Sequence, residues 1–169
     1  MIYVGDAGAT EIAGRTSRVG VEVLADWRPN ERLNLNLTAA ATDARFTGDP
    51  EGGDRVPNAL EYVVTAGLSA RLTERTTATV TVRRLGPAPL IEDGSVMSSP
   101  FHARQPGGRP QASRLTFTAE GLNLFDSRDN DIEYFYASRL PGEPAEGVED
   151  LHFHPFEPRT VRIGVRVAL

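Results

Sequence analysis

The C-terminal stretch Val161-Arg162-Ile163-Gly164-Val165-Arg166-Val167-Ala168-Leu169 alternates without a break. Val161, Ile163, Val165, Val167 and Leu169 fall on one side of an extended chain, and Arg162, Gly164, Arg166 and Ala168 on the other. A period of two is the signature of a strand with one apolar face. Working back from it, the same period recurs. Val19, Val21, Val23, Ala25 and Trp27 oppose Gly20, Glu22 and Asp26, with Leu24 the exception. Leu33, Leu35, Leu37, Ala39 and Ala41 alternate with Asn34, Asn36, Thr38 and Thr42. Leu60 to Leu72 places Tyr62, Val64, Ala66, Leu68 and Ala70 against Glu61, Thr65, Ser69 and Arg71. Ala78, Val80 and Val82 face away from Thr77, Thr79, Thr81 and Arg83, and Leu115, Phe117 and Ala119 from Thr116, Thr118 and Glu120.

Several of these runs hold their alternation for 11 to 14 residues, whereas a strand of a soluble domain usually has about 5–6. A tilted strand that crosses a bilayer needs about 9–11. The connections are asymmetric as well. Pro29-Asn30 and Thr73-Glu74 are very short turns, while 47–57, 87–98 and 126–158 are long, polar and rich in Gly, Pro and Asp. Short turns at one end and long loops at the other match the pattern of outer-membrane barrels. Trp27 sits beside a short turn, where an interfacial aromatic belongs. The fold class expected is therefore all-β: an antiparallel meander of about seven long strands, part of a transmembrane β-barrel.

The totals are consistent with this. The 169 residues carry a net charge of −5, and 40% are hydrophobic. No dense Lys/Arg run offers a footprint for nucleic acid. Without cysteine there is no disulfide framework, thiol nucleophile or Cys-built zinc site. No window approaches the 18 or so apolar residues of a membrane-spanning helix, a test that barrel strands never meet. Met1 to Thr10 has neither a basic region nor an apolar run, so no signal peptide is read there.

One segment resists. Topology demands a strand near 99–111, so that the last strand runs toward the short-turn end. Pro100, Pro106, Pro110 and Gly107-Gly108 oppose a ladder, and the segment has no apolar face. The expectation is an irregular or poorly paired 100–112 between intact strands at Ser113–Phe125 and Arg159–Leu169.

Several blocks resemble TonB-dependent outer-membrane receptors, specifically the end of their barrel. These are Tyr3-Val4-Gly5-Asp6-Ala7-Gly8-Ala9-Thr10-Glu11, Gly86-Pro87-Ala88-Pro89-Leu90-Ile91-Glu92-Asp93 and Asn123-Leu124-Phe125-Asp126. The longest runs from Asp131-Ile132-Glu133-Tyr134-Phe135-Tyr136-Ala137-Ser138-Arg139 to Pro144 and continues into Asp150-Leu151-His152-Phe153-His154-Pro155-Phe156-Glu157-Pro158-Arg159. Two departures stand out. An alternating strand of the family is replaced by Pro100–Ala112 at preserved spacing, as two compensating frameshifts would leave it. The family chain usually ends in an aromatic residue, and here the end is Leu169.

The resemblance implies that residues 1–169 are the C-terminal part of a receptor barrel of about 22 strands, with plug domain and signal peptide absent. It implies an outer-membrane location and substrate uptake as part of a complete receptor. Its partners would be outer-membrane lipid and the barrel assembly machinery, with TonB engaged only through the missing N-terminal part; the substrate is not legible, and no cofactor is implied. Arg162, Gly164, Val167 and Leu169 resemble the terminal signal read by the assembly machinery. Tyr134, Phe135, Tyr136, Arg139 and Phe153 are candidate ligand contacts in an external loop. Two other readings stay open: a small self-contained barrel with a structural or adhesion role, and a soluble β-sandwich binding module.

No catalytic residue is assigned, since no nucleophile elbow, zincin helix or phosphate loop appears. His152 and His154 alternate toward one side, but flanking Pro155 and Pro158 favour a packing role over a metal. Asp49, Glu51 and Asp54 lack the order of a calcium loop and read as a solvated one.

Overall fold

The computed structural model describes residues 2–4, 9–11, 14–48, 52–112 and 114–168. Its strands are β1 (Ile2–Val4), β2 (Ala9–Glu11), β3 (Thr16–Asn30), β4 (Leu33–Phe46), β5 (Tyr62–Thr73) and β6 (Thr76–Leu85). They continue as β7 (Phe101–Ala112), β8 (Leu115–Leu122), β9 (Asn130–Ser138), β10 (Val148–Pro155) and β11 (Thr160–Val167). One seven-stranded sheet has the order β11-β8-β7-β6-β5-β4-β3, and every neighbouring pair in it is antiparallel. Two small hairpins, β1–β2 and β9–β10, stand apart from it. The meander of long strands is as expected. The small barrel and the sandwich are not: the sheet ends on β3 and β11, and the strands of the large sheet contact their ladder neighbours rather than a second layer.

The register aligns the apolar faces into one surface. Leu35 lies opposite Trp27 and Leu68, and Leu68 opposite Val80. At the other edge Ile163, Val165 and Val167 oppose Ala119, Phe117 and Leu115. Among the described residues nothing covers this surface: Val19 is 73% exposed, Trp27 63% and Ile163 79%. At about 25 cal/mol per Å2 of apolar surface, a lone sheet in water would forgo most of the stabilisation that folding needs. The face therefore calls for an apolar surrounding. On the reverse face, Asn36 lies opposite Gly67, Thr79 opposite Gly107, and Thr118 opposite Gly164. A Cβ on Gly67 or Gly164 would come within 2.6 Å or 2.5 Å of the facing Asn36 or Thr118 side chain, so glycine gives those polar groups room.

Short turns join the strands at one end. The Asn30 side-chain oxygen accepts the N–H groups of Arg32 and Leu33 at 2.9 and 3.0 Å, and Thr73 accepts the N–H of Arg75 at 3.2 Å. These local bonds are why Asn and Thr stop a strand there.

Residues 101–112 correct the expectation of an irregular segment. They form a regular strand, paired with β6 at every position from Phe101 to Pro110. The reason is parity. An unbroken ladder with β6 means that the nitrogens of Pro106 and Pro110, which carry no hydrogen, point the other way. On the β8 side the pairing is correspondingly thin, present at Gly107, Gly108, Gln111 and Ala112 and interrupted at Arg109 and Pro110. The amide of His102, on the same parity, donates instead to Asp129 Oδ2 at 2.8 Å. Proline also biases its predecessor toward extended backbone, so Gln105 and Arg109 are pushed into the strand rather than out of it. The strand thus forms from the sequence as it stands. Replacing Pro110 with alanine should restore a donor toward β8 and stabilise the sheet by about 0.5–1.5 kcal/mol. Hydrogen exchange reads this directly. The new amide of the Pro110→Ala variant should exchange slowly, and exchange at the rate of an open chain would contradict the parity.

Candidate functional site

The long connections 47–61, 86–100 and 123–159 all lie at the end of the sheet opposite the short turns, and the small buried cluster of the molecule is there. Val56, Ala88, Leu90, Phe101 and Ala103 are each 7% exposed or less. The first two loops are laced together by main-chain bonds from Arg55 to Glu92 (2.9 Å), Asn58 to Pro89 (2.8 Å) and Glu61 to Pro87 (3.1 Å). Gly53, at φ 137°, permits the crossing, because a Cβ there would lie 2.3 Å from the Glu92 carbonyl oxygen. Arg45 holds Asp54 at 2.9 Å and Asp43 at 3.0 Å, and Arg55 reaches Asp43 at 3.3 Å. Asp54 is thus an ion-pair partner; Asp49 and Glu51 lie outside the described residues. At the tip of the second loop, Asp93 accepts the Ser95 N–H at 2.8 Å. That bond and the Ser95 hydroxyl hold its carboxyl below the ordinary value.

The third loop is anchored by two polar residues that the pattern reading passed over. Asn123 is 4% exposed, at φ 47°; its Nδ2 donates to the carbonyls of Ser127 (2.9 Å) and Glu157 (2.8 Å), and its Oδ1 accepts the Ser127 N–H at 2.7 Å. One amide closes both ends of a 34-residue excursion. Glu133, 5% exposed, accepts the Ser99 N–H at 2.7 Å and the Asn130 amide at 2.5 Å, joining this loop to its neighbour. Phe101 meets Phe156 edge-on at 4.7 Å between ring centres.

Within that excursion the chain forms the β9–β10 hairpin, which the sequence reading treated as loop. The hairpin divides the expected ligand contacts. Tyr134 and Tyr136 share a face with His152 and His154, whereas Phe135 and Phe153 occupy the other, and Arg139 lies at the tip. Tyr136 stacks on His152 at 3.9 Å, and His154 Nδ1 lies 2.8 Å from Asp131. The two histidines do share a side, each with its own partner. Among the described residues no group of three His, Cys, Asp or Glu side chains is placed to hold a metal ion. Phe153 is 59% exposed and Leu140, at the tip, 64%. The hairpin thus shows aromatic and aliphatic side chains to solvent.

Toward the other end, the polar face has a trough of about 580 Å3 lined by Thr79, Arg109, Thr116, Thr118, Glu120 and Arg166, among others. Of the terminal residues resembling an assembly signal, Arg162 and Gly164 face the polar side and Val167 the apolar side; Leu169 lies outside the described residues.

These features are those of part of a β-barrel wall: one sheet apolar on one face, polar on the other, with structured loops at one end. The fold is that of the TonB-dependent receptor barrel. The ferric yersiniabactin uptake receptor FyuA of Yersinia pestis superposes with a TM-score of 0.70 at 24% identity, over 92% of this chain and 24% of that one. The ferric-catecholate import receptor Fiu of E. coli K12 superposes with a TM-score of 0.71 at 17% identity, over 96% and 22%. The chain therefore spans about a quarter of the length of either receptor. No protein-family model matches the sequence, and no curated protein matches it either.

Proposed function

We propose that the chain supplies the C-terminal wall strands and outer loops of an outer-membrane uptake receptor, acting in transport as part of the complete barrel. The observation that carries this is the uncovered apolar face of a single-layer sheet, backed by a polar face of hydroxyl, amide and charged groups. In hydrocarbon the first belongs against lipid and the second in a lumen. The neighbours are named for transport rather than catalysis. Their cargoes differ while their walls fit this chain equally well, so the wall does not choose the substrate. Substrate contact falls to the loop end, where Tyr134, Phe135, Tyr136, Arg139 and Phe153 are carried on the β9–β10 hairpin. Arg162, Gly164, Val167 and Leu169 would serve export, as the strand presented to the barrel assembly machinery. TonB would be engaged through another part of the receptor.

These 169 residues carry no cysteine, so in a receptor whose other cysteines are replaced single substitutions report topology. In intact cells making the receptor, a membrane-impermeant maleimide should label Leu140→Cys at the hairpin tip. Glu74→Cys, in a short turn, should react only after the outer membrane is opened. Equal labelling of both in intact cells would reject the orientation and the membrane reading with it.

A further inference from the structure

The charged residues on the apolar face are few, and all lie at its loop end. The register places Asp43, Arg45, Arg84, His102 and Arg104 on that face. Arg45 is committed to Asp43 and Asp54. His102 lies beside Asp129, with Nδ1 3.2 Å from Oδ2. Arg84 and Arg104 differ: both are exposed, and neither has a carboxylate partner among the described residues. Each lies against an aromatic ring instead. Arg84 stands 5.7 Å from the centre of Tyr62, which is itself held over Gly86, and Arg104 stands 5.1 Å from the centre of Phe125. Because His102 faces Arg84 and Val82 faces Arg104, the two arginines are diagonal neighbours on adjacent strands, about 7–8 Å apart at the backbone.

We propose that Arg84 and Arg104 form a binding site for the phosphate of an anionic lipid headgroup in the leaflet facing the loops. The proposal rests on the lipid-facing reading of this face. Two unpaired guanidinium groups at the edge of an apolar surface are costly unless an anion meets them at that depth. A headgroup phosphate does so while its acyl chains cover Val80, Val82 and Leu68 directly below. The rings, 5.7 and 5.1 Å away, attract the cations without supplying an acceptor in the guanidinium plane, so the N–H groups remain available for a bidentate bond to phosphate. Charge complementarity selects the headgroup, and the adjoining apolar sheet selects a lipid over a soluble anion.

The test uses the complete receptor, purified in detergent micelles doped with phosphatidate or with diacylglycerol of the same acyl chains, and binding is read by native mass spectrometry. Phosphatidate should be retained selectively, and the double variant R84Q/R104Q should weaken it by about tenfold or more. R84K/R104K should keep part of the affinity. R83Q, one residue away on the polar face, should keep all of it. Unchanged diacylglycerol binding in every variant shows that the sheet face is intact. Equal losses in R83Q and the double variant, or no loss in either, would overturn the site. Displacement of phosphatidate by millimolar inorganic phosphate would overturn the lipid as its ligand. Success or failure of the cysteine labelling is independent of these outcomes, so a failed lipid site and a failed membrane topology are distinguishable.

Discussion

Replacing Val165 with Arg should block stable assembly in the outer membrane, while replacing Arg166 with Val should leave assembly largely intact. The two residues are adjacent on β11 and point to opposite faces: Val165 opposes Phe117 on the apolar side, and Arg166 opposes Thr116 on the polar side. Val165 is 60% exposed, and the described residues around it on that face, Ile163, Val167, Leu115, Phe117 and Ala119, carry no charge that could neutralise a new cation. Arginine on a lipid face costs about 2–4 kcal/mol near the midplane and less toward either interface. Valine in place of Arg166 removes a charge from a polar wall but buries nothing unpaired. Heat-modifiable gel mobility of the receptor separates folded from unfolded barrel and reads both variants. Equal tolerance at the two positions would remove the basis for assigning the faces to lipid and lumen.

The second large effect is expected at Asn123. Its side chain makes three hydrogen bonds in a nearly closed pocket, two to Ser127 and one to Glu157 across the neck of the 123–159 excursion. Asn123→Ala leaves the carbonyls of Ser127 and Glu157 and the Ser127 amide without that partner, and it strains a left-handed backbone. Together these should destabilise the base of the hairpin by about 2–4 kcal/mol. Limited proteolysis should then cut within 124–158 far faster, while the sheet strands stay protected. Asn123→Gly, which suits the φ of 47° but makes no bonds, should recover only the backbone part. Unchanged cleavage in the alanine variant would show that the neck is held by other contacts, such as the Phe101–Phe156 pair.

The elements that alternate cleanly were legible from the sequence, and so was their division into two faces. Val161 to Val167, Leu33 to Ala41 and Ala78 to Val82 each name their own apolar side, because a strand's side chains project with a period of two whatever its neighbours are. The turns at Asn30 and Thr73 were legible for a similar reason: their side chains bond their own backbone within three residues. Tertiary structure alone decided the rest. Whether Phe101–Ala112 is a strand depends on which way two proline nitrogens point, and only the partner strands set that. Asn123 and Glu133 acquire their roles from carbonyls and amides up to 34 residues away, a distance no local pattern spans. The hairpin within the third loop exists through pairing of Asn130–Ser138 with Val148–Pro155, which sorts the candidate aromatics onto two sides. Arg84 and Arg104 lie 20 positions apart in the chain, and it is the β6–β7 register that sets them side by side. Periodicity is a property of one strand, whereas adjacency is a property of two.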